Sequence, residues 1–176
     1  MKPIVLMTDY GLEDGYAGIL KGVILGIAPE APVIDLTHEL PPQNVLAGVL
    51  TLQRSVSFFP PEAVFVCVID PGVGTERRSI AARLGDQFFV GPDNGLITLW
   101  LDQCERDDQP VEIVTLDQPR YWLYGLSNSF HGIDIYAPVG APLAAGVPLA
   151  EIGSPLVYPI FIDIPMPMTI HRGWSG

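Results

Sequence analysis

Short apolar runs alternate with longer segments whose apolar residues recur at helical spacing, and this alternation sets the first expectation for the fold. Residues 3–8, PIVLMT, read as a buried strand ending at Asp9. In 15–28, GYAGILKGVILGIA, the residues Tyr16, Ile19, Leu20, Val23 and Ile27 fall on one helical face. Asp14 stands just ahead, where a carboxylate caps free N–H groups, and Pro29 and Pro32 close the segment. VIDLTH, 33–38, is a second strand. Residues 41–56 open on two prolines and then carry Val45, Val49, Leu52 and Val56 on one face, which predicts a helix. AVFVCVI, 63–69, is apolar throughout, as a parallel strand covered on both sides tends to be. SIAARL and DQFFVG predict two shorter strands meeting at Gly85-Asp86, then a helix over 94–103 and a strand over 111–116. Strands alternating with helices imply right-handed crossovers and an α/β fold built on a mostly parallel sheet. From Gly146 onward, prolines at 148, 155, 159, 165 and 167 leave no room for a helix or a central strand. Residues 1–156 are therefore read as one α/β domain, and 157–176 as an irregular proline-rich tail.

Composition narrows the class. Of 176 residues 48% are hydrophobic and only 16% charged, enough apolar material for a sizeable core. Lys and Arg total 9 against 20 Asp and Glu, a net charge of −11 with no basic stripe, so a nucleic-acid partner is not expected. Cys67 and Cys104 lie far apart without metal-like spacing and read as reduced packing residues. The opening apolar run is too short for a signal-peptide core, and no window approaches a membrane span. A cytoplasmic protein acting on a small molecule is the expectation.

Candidate chemistry sits at strand ends, where open parallel sheets bind their ligands. Asp9 and Asp70 each run straight into a glycine-containing loop, and Asp35 lies within the second strand. For any one of them, capping a turn is the commoner role; two at equivalent strand ends make a shared site as strong a reading. GVGTER lacks the Gly-Lys-Ser/Thr ending of a phosphate loop and leads into a strand-like segment. Asp70 and Arg77 instead suggest a carboxylate–guanidinium pair across a short loop, with a surface ion pair as the blander alternative. In SNSFHGIDIYAP, His131 lies between Phe130 and Gly132, near Asp134, where the glycine permits close backbone approach; a structural histidine is the competing reading. His38 and His171 have no comparable setting. Asp9, Asp70 and His131 could in principle bind a divalent metal for hydrolysis, although no clustered ligand motif is present.

Taken together, TDYGLEDGYAG, IDPGVGTERRSIAAR, GPDNGLIT and SNSFHGIDIYAP, in that order and spacing, resemble the S-adenosylmethionine hydrolase family, also called S-adenosylmethionine hydroxide adenosyltransferases and related to fluorinases and chlorinases. The resemblance implies a Rossmann-like three-layer α/β domain, with the sheet sandwiched by helices. It implies attack of water or hydroxide on the ribose C5′ of S-adenosylmethionine, giving adenosine and L-methionine, with no cofactor and no metal. It assigns the catalytic set to Asp70, Arg77 and His131 by motif position. Asp9 matches the ribose-binding aspartate, Asp14 approaches the methionine end, Asn94 lies in the part lining the nucleoside pocket, and Phe130 joins the substrate-binding set. Ile133 departs from the pattern, since relatives commonly have Arg there. Family members also carry a C-terminal β-barrel and form trimers in which a neighbour's barrel completes the pocket. Here that barrel is expected to be missing, with 157–176 in its place. A non-catalytic, nucleoside-binding domain is therefore the alternative to an active hydrolase.

Overall fold

Branched apolar side chains with no polar alternation make the centre of the sheet. Both β1 (Ile4–Thr8) and β3 (Val64–Val68) are buried at every position. In this computed structural model, which describes residues 1–123 and 129–165, they run parallel and in continuous register from Ile4 opposite Val64 to Thr8 opposite Val68. β2 (Val33–Thr37) joins β1 in parallel, and β5 (Gln87–Pro92) joins β3 in parallel. Beyond β5 the direction reverses: β4 (Ser79–Leu84) is antiparallel to both β5 and β6 (Val111–Thr115), and β7 (Ser154–Pro155) is antiparallel to β6. Among the described residues the sheet has seven strands in the order β2-β1-β3-β5-β4-β6-β7. It is therefore mixed, and the expectation of a mostly parallel sheet is corrected. The cause is local. Gly85, at φ +65°, makes the tight β4–β5 turn, and the hairpin enters the sheet as a unit with β4 between β5 and β6.

Side chains alternate across the sheet into two cores. Ile4, Leu6, Val64 and Val66 face α1 (Tyr16–Ile27), α4 (Ala137–Ala144) and α5 (Leu149–Ile152). Val5, Met7, Phe65 and Cys67 face α2 (Val45–Ser55) and α3 (Thr98–Arg106), where Phe65 meets Phe59 and Trp100 edge-on. Helices thus cover both faces. Asn44 caps α2 by accepting from Ala47 N–H at 2.9 Å, and Asp14 Oδ1 accepts from Tyr16 N–H at 3.3 Å at the start of α1. Both cysteines are buried and free, and burial pushes both thiols up.

Two helical stretches form beside prolines. α4 carries Pro138, Gly140 and Pro142, yet it forms because it is buried along nearly its whole length and shows no polar face. Its small residues allow close approach, since a Cβ on Gly140 would stand 2.6 Å from Val66 Cγ2. The short α5 corrects the expectation of no helix beyond Gly146; it follows Pro148 and buries Leu149 and Ile152. Residues 157–165 form neither helix nor strand but are held to the domain. Ile160 N–H donates to Asp93 Oδ1 at 2.8 Å, and Ile162 N–H donates to Thr98 Oγ1 at 3.1 Å. Among the described residues no helix is long and apolar enough to cross a membrane. His171 lies outside the described residues.

Candidate active site

The parallel pairing of β1 with β3 delivers Asp9 and Asp70 from neighbouring strands at the same end of the sheet, with Asp9 N–H donating to Val68 O at 3.4 Å. After Asp70 the chain folds back through successive turns: Val73 N–H bonds Asp70 O at 3.2 Å, and Thr75 Oγ1 donates to Gly72 O at 2.6 Å. Gly74 takes φ +81°, and a Cβ on Gly72 would stand 3.1 Å from Arg77 Cγ. This compact loop returns Arg77 to Asp70. Arg77 Nε donates to Asp70 Oδ1 at 2.7 Å, and Nη2 donates to Asp70 Oδ2, a bidentate pair. Their side chains are only 8% and 5% exposed, so this is a buried pair and the surface reading does not hold. Arg77 Nη2 also donates to His131 Nδ1 at 2.8 Å, and Nη1 donates to Ser79 Oγ at 2.9 Å and Arg78 O at 3.4 Å. Every N–H of the guanidinium therefore has a protein partner.

His131 reaches this set from a different element, at the start of a π-helical turn (Gly132–Tyr136) that leads into α4. Turns of that kind concentrate at functional sites. Arginine only donates, so Nδ1 of His131 accepts and the ring proton sits on Nε2. Burial, followed by the nearby Arg77 charge, lowers the imidazole pKa below its ordinary 6.5 and favours this neutral form. Asp9 accepts from Gln43 N–H at 2.6 Å; burial raises its pKa above 3.8, and the Asp70 charge adds to the rise. A cavity of about 130 Å³ opens among Asp9, Tyr10, Gln43, Asp70, His131 and Gly132. Arg77 does not line it.

Other residues singled out in the sequence fall elsewhere. Asp14 accepts from Tyr16 N–H just ahead of α1 and Asn94 Nδ2 donates to Ile69 O at 2.8 Å, bracing the end of β3; neither lines the cavity. Phe130 stacks on Tyr16 with ring centroids 5.1 Å apart, and Tyr16 meets Tyr10 at 5.9 Å, so a row of rings adjoins the cavity. Ile133 packs against the core. Asp35 belongs to a separate network: His38, only 3% exposed, joins Thr8 Oγ1 at 2.8 Å to Asp35 Oδ1 at 3.0 Å and so braces the loop after β1. Sequence reasoning passed over His38, and also Tyr136 and Ser79, whose hydroxyls lie 3.1 Å apart beside the ion pair. Nothing marks them locally, because Tyr136 sits in an apolar run and Ser79 opens a strand. A larger cavity, about 480 Å³, lies at the opposite end of the sheet between the β4–β5 turn and α3, away from these groups. Among the described residues no group of three or more His, Cys, Asp or Glu is arranged to hold a metal ion.

Fold and site together define an α/β domain with a buried carboxylate–guanidinium–imidazole set beside a small polar cavity at the strand ends. The model of the SAM hydroxide adenosyltransferase N-terminal domain matches residues 4–153, and the chain belongs to that family. A Salinispora arenicola protein named (R)-S-adenosyl-L-methionine hydrolase is 43% identical over 94% of this chain and 62% of its own length. The chain thus spans about 62% of that relative. A more distant relative from Actinoplanes, named Fluorinase, is 26% identical over 97% of this chain and 64% of its own. The crystal structure of an uncharacterized conserved protein from Thermotoga maritima, 38% identical, superimposes with a TM-score of 0.87 over 95% of this chain and 64% of that one.

Proposed function

We propose that this domain hydrolyses S-adenosyl-L-methionine to adenosine and L-methionine. The observation that carries the reading is the convergence of Asp70, Arg77 and His131, distant in sequence, beside a cavity shared with Asp9. Water forms a bond to C5′ while the C5′–S bond breaks. The bonding pair passes to sulfur, which leaves as a neutral thioether, and one proton is released. A sulfonium needs no acid to assist its departure, so the demand falls on aligning and activating a weak nucleophile. Asp70, on the cavity wall, accepts a hydrogen bond from the water. His131 offers Nε2–H to the same oxygen. Arg77 has no spare N–H, which favours a positioning role over direct contact with the water. Asp9 takes the ribose hydroxyls. No cofactor enters this scheme.

The cavity of about 130 Å³ is smaller than the roughly 300 Å³ at the lower end of pockets that enclose a whole drug-sized ligand. It suits the ribose and the reacting carbon, and the Tyr10–Tyr16–Phe130 row offers apolar surface for what extends beyond. A second surface completes the pocket in this reading; the mass in solution tests whether a neighbouring subunit supplies it. The metal-hydrolase alternative has less support, because Arg77 engages both oxygens of Asp70 and an ion would have to displace it.

The direct test is to incubate the purified chain with S-adenosylmethionine in heavy-oxygen water. Adenosine and methionine should appear in equal amounts, with the label in the 5′-hydroxyl. No adenosine above a protein-free control would overturn the reading in favour of a non-catalytic nucleoside-binding domain.

A pH dependence follows from His131. Its pKa is lowered on folding, so its contribution to stability is present above the unfolded value of about 6.5 and is lost as pH falls through the folded value. Protonation also forbids Nδ1 from accepting Arg77. Turnover should be level near neutrality and decline on acidification, with a midpoint below 6.5. In His131→Gln that limb should disappear. A limb that the substitution leaves unmoved would assign it to Asp9 instead.

A further inference from the structure

Tyr136 is completely buried (0% exposed) and Ser79 nearly so (9%), yet each carries a hydroxyl that must find partners. The partners form a one-way circuit. Ser79 Oγ accepts from Arg77 Nη1 at 2.9 Å and lies 3.1 Å from the Tyr136 hydroxyl, which in turn reaches Asp70 Oδ2 at 3.4 Å. A guanidinium only donates and a carboxylate only accepts, so the circuit has one consistent direction. Tyr136 gives its single proton to Asp70, and Ser79 must then give its own to Tyr136. Burial and the Asp70 charge push the phenol upward, which keeps Tyr136 a donor. Its ring also lies over Arg77, with the guanidinium carbon 5.7 Å from the centroid.

We infer that Tyr136 and Ser79 are positioning residues for the hydrolysis, closing the Asp70–Arg77 pair into a hydrogen-bonded ring that fixes which carboxylate oxygen receives the water. Among the described residues Oδ2 accepts from both Arg77 and Tyr136, whereas Oδ1 accepts only from Arg77 Nε. Each carboxylate oxygen offers about two lone-pair sites. Oδ1 therefore keeps the spare site, and the nucleophilic water docks there. Without the ring, the carboxylate can rotate and share the water between its oxygens, and alignment with the breaking C–S bond is lost.

This inference rests on the proposed hydrolysis for its kinetic consequence, so its test has two independent readouts. In Tyr136→Phe, which keeps the ring, and in Ser79→Ala, kcat should fall about tenfold while KM stays within about twofold. Ser79→Thr restores the hydroxyl and should return kcat to within about threefold of wild type. Separately, NMR-detected exchange of the Arg77 Nε–H should quicken about tenfold in Tyr136→Phe and Ser79→Ala. If the parent chain makes no adenosine, the hydrolase reading fails and the exchange rates alone decide the ring. Should Tyr136→Phe fail to fold, the Ser79→Ala and Ser79→Thr pair decides. Wild-type kcat together with wild-type exchange in a folded variant overturns the inference, as would unchanged exchange in a chain without activity.

Discussion

Arg77→Leu should reduce turnover by about 10³-fold or more, and should also lower the unfolding free energy by about 3–5 kcal/mol. The two losses have different origins. The Arg77 and Asp70 side chains are 8% and 5% exposed, so removing the guanidinium strands a carboxylate away from water, with Tyr136 the one donor still on it among the described residues. A buried charge left without its counter-charge is far more costly than the same pair replaced whole. The double substitution Asp70→Leu with Arg77→Met should therefore recover most of the stability and none of the activity. Denaturant melts of the three proteins beside an adenosine assay make the comparison. A single substitution costing less than about 1 kcal/mol would show that the pair is solvated after all, and would remove the reason for placing it at the centre of the site.

Gly132→Ala is expected to have the second largest effect. A Cβ there would lie 2.3 Å from the Tyr10 hydroxyl, which would have to move, and 3.2 Å from Val68 Cγ1, a tight contact that would have to give by a few tenths of an ångström. Tyr10 borders the cavity and touches the ring of Tyr16. Its displacement, or that of the turn carrying His131, should lower kcat/KM by about 10²-fold and stability by about 1–3 kcal/mol. Combining the change with Tyr10→Phe removes the nearest clashing atom and should return part of both. Equal loss in the single and double variants would put the conflict at Val68 and the backbone instead.

The first two-thirds of the fold was legible because its signals are local. Buried runs rich in β-branched residues gave β1 and β3, the proline-led apolar face gave α2, and Gly85 announced the β4–β5 hairpin. The insertion of β4 between β5 and β6 was not legible, because strand order depends on which edges meet in space and the local pattern does not record that. The sequence pattern assigned no element to α4, because a helix buried on all sides has no polar face to reveal it. In the site, Asp70 and Arg77 stood out as a carboxylate and a guanidinium joined by a glycine loop. His131 lies 54 residues beyond Arg77, and it was the resemblance among four separated motifs that joined all three. Tyr136, Ser79 and His38 were hidden among packing residues. Their roles come from partners contributed by other elements, which no local pattern encodes.

The ladder between β1 and β3 has a consequence for how such a pocket diversifies. Adjacent strands keep a spacing of about 4.8 Å, and the register continues without a bulge to the last pair. The relative placement of Asp9 and Asp70 is thus a property of main-chain pairing, insulated from surface substitutions. Residues 10–15, 71–76 and 129–130 lie outside that ladder. Over evolutionary time they are free to reshape which molecule is admitted, while the two acids stay where the scaffold put them.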